Sequence, residues 1–350
     1  MYRERIAKLK NELNKKGLKQ ALYCDPSAIF YLTGKWINPG ERFLGLLIGE
    51  EVKLFVNELF HVEGATYFKD GDDIVAVLKP YLSTDTLAVD RNLRAQFLLP
   101  LMGIISHFED ASLMLDNLRS LKSEDELKIM REASLINDRA MAEFKTLVYE
   151  GVSEKEVVTK MLDIYEDLGA SGFSFEPIVA FGANAADPHH EPDETTLKAG
   201  DIVLFDVGCK YQDYCSDMTR TFFFKEYPDE DKLEIYNLVK EANEKAMKMV
   251  SKDITLYELD KCARDIIVEG GYGPLFTHRL GHFIGIDIHE FGDVSQANLN
   301  KCQVGNVFSI EPGIYDRDRG IGVRIEDLVV VTEAGYEVLN HYPHAVEVIG

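Results

Sequence analysis

Tryptophan occurs once in this chain, at Trp36, and the five cysteines (Cys24, Cys209, Cys215, Cys262, Cys302) contain no CxxC pair. An odd, scattered set of thiols argues against a disulfide framework or a zinc ribbon, and it suits a reducing cytoplasm. No apolar run approaches the roughly 20 residues that a membrane-spanning helix needs. The opening MYRERIAKLKNEL is amphipathic rather than signal-like. Cationic side chains are also scarce: 38 lysines and arginines face 60 acids, for a formal charge of −22. With nothing basic and contiguous to neutralise phosphates, nucleic acid is not an expected partner. Most of the acid reads as a solvated, solubilising surface. A smaller share sits where solvent does not explain it.

The chain is long enough for two domains. Over residues 1–117 the segments KQALYCD, FLGLLIG, VKLFVNE, DDIVAVL and TLAVD read as short strands between amphipathic stretches, which predicts a small α/β domain. A second domain is expected over residues 118–350. It begins with the helical segment LRSLKSEDELKIMREASLINDRAM, where Ser123 and Glu126 form a Ser-x-x-Glu capping box. Ser153 with Glu156 and Thr255 with Glu258 repeat the device at two later helix starts. The strands DIVLFDVG, MTRTFFF, NVFSIEPGIY and VRIEDLVVV alternate with these helices, which points to an α+β fold with an antiparallel sheet and flanking helices. EGGYGPLF reads as a loop and lacks the context of a dinucleotide-binding turn.

Those apolar strands contain carboxylates. Asp206 interrupts IVLFDVG, and Asp217 follows in YCSDMTRTFFF. A hairpin turning near Tyr211 and Gln212 would set the two aspartates opposite each other on one face. Glu311 interrupts VFSIEPGIY, and Glu326 interrupts VRIEDLVVV with Arg324 on the same face. One such acid is ordinarily paired with an arginine or a backbone donor. Four of them together would force proton uptake unless cations intervene. Two divalent ions carry +4 against the −4 of the four carboxylates, and His282 would complete an oxygen-rich ligand set. That set suits Mn²⁺ or Co²⁺, with Zn²⁺ or Fe²⁺ also compatible. Paired ions of this kind activate a water as a nucleophile at neutral pH. There is no HExxH, no G-x-S-x-G and no evident nucleophilic cysteine.

Asp206, Asp217, His282, Glu311 and Glu326 occur in the order and surroundings seen in the "pita-bread" metallopeptidases (family M24), which this sequence resembles over nearly its whole length. The segment HRLGHFIGIDIHE (residues 278–290) looks like the signature of the Xaa-Pro dipeptidase (prolidase) and aminopeptidase P branch. YLTGKW is similar to the N-terminal creatinase/prolidase-like domain of that branch, and LRSLKSEDEL to its interdomain entry. Phe283 stands where many relatives have glycine.

The resemblance implies a pita-bread catalytic domain that hydrolyses the Xaa-Pro bond of a small peptide with a water held and deprotonated between two ions. Glu311 would act as general base and then general acid. His189, His289 and Arg324 would serve catalysis and substrate binding, and His278 would be structural. A cytoplasmic homodimer is implied as well. Within GKWINPGERF, Trp36 and Arg42 are candidate contacts for a loop that excludes long peptides. The dipeptidase is the preferred reading. Alternatives are an aminopeptidase P acting on longer peptides and, more remotely, a non-catalytic peptide-binding protein on the same fold. A creatinase-like or methionine aminopeptidase reading fits less well, because all five ligands and an N-terminal domain are present.

Overall fold

Local side-chain chemistry sets where the helices begin. Ser123, Ser153 and Thr255 each accept the N3 amide while Glu126, Glu156 and Glu258 reach back, so all three capping boxes form. The computed structural model describes residues 1–350, which divide into the units Met1–Arg119 and Ser120–Gly350.

The first unit holds a six-stranded mixed sheet whose two central strands are Gly45–Ile48 and Ala21–Tyr23. Four of the five predicted strands lie in it. The fifth, DDIVAVL, is instead the short helix Ile74–Leu78. Asp73 caps it by accepting the Val75 amide at 2.9 Å, and Ile74, Val77 and Leu78 fall at helical spacing against the core. The loop of Trp36 and Arg42 belongs to this unit. Trp36 is 45% exposed and meets Phe30 edge-on, while Arg42 is clamped in two-point fashion by Asp70 at 2.8 and 2.9 Å.

In the second unit the strand Ile202–Val207 pairs antiparallel with Ile178–Phe181 on one side and Met218–Phe224 on the other. Its side chains alternate between two cores. Val203, Phe205 and Val207 pack with the helices Glu124–Phe144 and Glu154–Asp167. Ile202 and Leu204 pack with Glu230–Met249 and Leu256–Glu269. Burial on both faces explains why the strand reads as a continuous apolar run. By the same alternation Asp206 belongs to the face of Ile202 and Leu204. A five-stranded antiparallel sheet, including Gly281–Phe283, Val307–Ile310 and Asp327–Thr332, forms the other half of this face's surroundings.

Two sequence expectations need correction here. The hairpin after Asp206 turns at Gln212 and Asp213, both left-handed (φ 47° and 67°), not at Tyr211 and Gln212. Asp206 therefore faces Thr219, and Asp217 lies two residues further along the same face, just before its strand. The two long glutamate-bearing strands are also broken at the glutamates. Glu311 separates Val307–Ile310 from Gly313–Asp316, and Glu326 separates Ile321–Arg324 from Asp327–Thr332.

Candidate metal centre

Asp206 enters the centre from within a strand, while Asp217, Glu311 and Glu326 enter it from beside strand ends. Asp217, His282 and Glu326 bring one ligand atom each within 4.8 Å of one another, all three buried. His282 Nε2 lies 3.4 Å from Asp217 Oδ2 and 3.5 Å from Glu311 Oε1. Its Nδ1 lies 3.2 Å from the Phe283 carbonyl, to which it can only donate, so Nε2 is the nitrogen turned toward the acids. Ser309 ties two of these elements together: its Oγ accepts the His282 amide at 3.0 Å and donates to Glu311 Oε1 at 3.0 Å. Gly281 is required beneath them, because a Cβ there would penetrate the Ser309 carbonyl.

Thr219 and Arg324 bind the remaining acids into one network. Thr219 Oγ1 donates to Glu326 Oε2 at 2.7 Å and receives Arg324 Nε at 3.1 Å. Arg324 Nη2 contacts Asp206 Oδ2 at 2.5 Å, and Nη1 reaches the Tyr315 hydroxyl at 2.7 Å. Arg324 is buried, with every nitrogen engaged. His278 bonds through both ring nitrogens, to the Arg279 carbonyl and the Tyr315 hydroxyl.

Electrostatically the cluster is incomplete by itself. Burial first, then Asp206 and Glu311, pushes the Asp217 carboxyl well above its ordinary range. Burial and the charges of Asp217, Glu311 and Asp206 do the same to Glu326. Asp206 is raised by burial and Glu311, with Arg324 opposing. Asp217 Oδ1 and Glu326 Oε1 are buried with no hydrogen-bond partner at all. Two orphaned carboxylate oxygens among mutually repelling acids fit divalent cations, whose charge supplies what Arg324 alone cannot.

A cavity of about 500 Å³ opens onto these residues. Phe175, Ile178, Pro188 and Ile288 give it an apolar wall, while His189, His289 and Arg279 stand at its solvent-facing side. The His289 ring meets His282 edge-on at 4.2 Å between centroids. Desolvation, then the charges of His282 and Arg279, lowers its pKa to about 4, so it is neutral at pH 7. Asp206, Asp217, His282, Glu311, Glu326, His189, His289 and Arg324 thus all line one cavity. Thr219, Ser309, Tyr315 and Arg279 did not emerge from the sequence. Arg279 lies within HRLGH, and Thr219 is the cross-strand partner of Asp206 in the register that the Gln212–Asp213 turn sets.

Metallopeptidase family M24 matches residues 128–333, and the Creatinase/Prolidase N-terminal domain matches residues 5–121. An uncharacterized peptidase of Staphylococcus epidermidis is 37% identical, over 97% of this chain and 99% of that one. A prolidase from Thermococcus sibiricus superposes with a TM-score of 0.94 at 33% identity, covering 100% of this chain and 99% of that one. An X-Pro aminopeptidase from Thermotoga maritima gives 0.85 at 29% identity, covering 95% and 98%.

Proposed function

The chain belongs to metallopeptidase family M24, and we propose that it cleaves the Xaa-Pro bond of dipeptides. The likeness to the Thermococcus sibiricus prolidase supports this. The observation that carries the dipeptide reading is Arg279. Its side chain is exposed at the cavity and has no acidic partner, whereas the cavity's other arginine, Arg324, is fully engaged. A free guanidinium beside an apolar wall is suited to the carboxylate of a C-terminal proline whose ring lies against Phe175, Ile178 and Ile288. A longer peptide lacks that carboxylate at this position.

Asp206, Asp217, His282, Glu311 and Glu326 would hold two divalent ions, Mn²⁺ or Co²⁺ by the hardness of the donors. When bound, such ions supply an activated water and polarise the scissile carbonyl. Glu311, the more accessible glutamate, takes the water's proton and delivers it to the prolyl nitrogen as the C–N bond breaks. His289 and His189 donate hydrogen bonds to the carbonyl oxygen as negative charge develops there. Arg324 acts one step removed, orienting Asp206 directly and Glu326 through Thr219. Because proline carries no N–H, recognition rests on ring shape and the carboxylate.

The test is a comparison of hydrolysis rates for Xaa-Pro, Xaa-Ala and Xaa-Pro-Xaa in the Mn²⁺-loaded protein. Preference for Xaa-Pro over both others is expected. Equal or faster cleavage of the tripeptide would assign the protein to aminopeptidase P chemistry instead.

A further inference from the structure

Glu154 is the first residue of the helix Glu154–Asp167, yet its side chain is wholly buried. A carboxylate at a helix start is usually solvated, so its partners need explaining. There are four. Oε1 accepts the Phe181 amide at 2.7 Å and the Asn184 side-chain amide at 3.0 Å. Oε2 accepts the Asp193 amide at 2.9 Å and lies 2.6 Å from His190 Nε2.

These donors come from both ends of one loop, residues 181–193. Pro188 and His189, between them, line the cavity. The His189 side chain is exposed, and its own backbone amide bonds only to Asp187, two residues away. Beside His189 the loop is held only by a long bond from Arg324 Nη1 to the Pro188 carbonyl at 3.5 Å and an exposed Arg317–Asp187 ion pair at 3.2 Å, against four shorter bonds to Glu154 from beneath. Glu154, His190 and Asp193 bring one ligand atom each within 4.8 Å of one another, as a cation site would. The donors argue otherwise: two backbone N–H groups, an amide and an imidazole N–H already fill both oxygens.

We infer that Glu154 is a positioning residue that staples the 181–193 loop and so holds His189 toward the substrate. This rests on the role given to His189 above. Glu154→Gln preserves shape and the two Oε1 acceptances but turns a donor toward the Asp193 amide. A displacement of His189 by about an ångström is enough to cost on the order of 100-fold in rate.

The experiment is a double-mutant cycle in the metal-loaded protein, read as kcat/KM on an Xaa-Pro dipeptide with metal content measured alongside. E154Q and His189→Ala should each lose roughly 10- to 100-fold. The E154Q/H189A protein should lose far less than the product of the two single losses, because the tether acts mainly through that histidine and only secondarily through Pro188. Fully multiplicative losses, or loss of bound metal in E154Q, would overturn the inference.

Hydrogen exchange of residues 181–193 gives a separate readout. Exchange should accelerate there in E154Q and in His190→Ala, and unchanged protection in both would also overturn it. Full activity in H189A with accelerated exchange in E154Q would refute the catalytic role of His189 while leaving the staple in place. His190→Ala removes a single tether and serves if E154Q does not fold.

Discussion

Replacing Asp217 by asparagine separates repulsion from ligation, because the two effects have opposite signs. The ligand atoms of Asp217 and Glu326 lie within 4.8 Å of each other. At an effective dielectric of about 20, two full charges at that distance repel by about 3.5 kcal/mol. Proton uptake relieves part of this in the metal-free protein, so the gain from D217N should be about 1–3 kcal/mol. For a unit of this size that is roughly 2–12 °C in melting temperature. With saturating Mn²⁺ the order reverses. The parent protein gains about 2.7 kcal/mol per ion, or about 5.4 kcal/mol for the pair, once the free ion exceeds its dissociation constants 100-fold, and D217N, short of a ligand, gains far less. Thermal melts of both proteins, in chelator and in Mn²⁺, make the comparison, with dipeptide hydrolysis lost in the variant. If D217N melts lower than the parent in chelator, the cluster is not held under repulsion and the case for paired cations fails.

Three further outcomes are expected. Folded-state values for Asp217 and Glu326 are raised, so the metal-free native state keeps protons that the unfolded chain releases near pH 4. Its stability should fall as pH rises from there through the raised values, and Mn²⁺ should suppress that fall; chelator melts that climb between pH 5 and 8 as steeply as the Mn²⁺ melts would contradict it. Arg279→Ala should raise KM for Xaa-Pro dipeptides roughly 10- to 100-fold while sparing Xaa-Pro-Xaa, and equal losses on both would count against carboxylate recognition. Ser309→Ala should weaken metal binding about 10- to 100-fold by freeing Glu311 and the His282 strand, measured by calorimetric titration.

The ligand types were legible in the sequence because charge inside apolar runs is costly, and cost leaves a visible anomaly. Their exact backbone setting was not. Glu311 and Glu326 sit in breaks rather than in strands, whereas Asp206 and His282 reach the same cavity from within their ladders. The turn at Gln212 and Asp213 was misplaced by one residue because neither is the glycine or asparagine that usually marks left-handed geometry. Parity rescued the conclusion, since moving the turn by one shifts the cross-strand partner by two and leaves the face unchanged. DDIVAVL was misread because five β-branched and apolar residues fit both periods, and the Asp73 cap decided between them. Glu154 was hidden inside a capping-box segment whose exposed-looking composition gave no hint of burial.

The five acid and imidazole donors are strung between residues 206 and 326, in or beside strands that belong to three different sheets. No hairpin or fragment owns more than a part of the centre. During refolding, ion uptake should accordingly lag the appearance of helix and sheet, and serve as a chemical clock for the moment at which both halves of this unit have closed on each other.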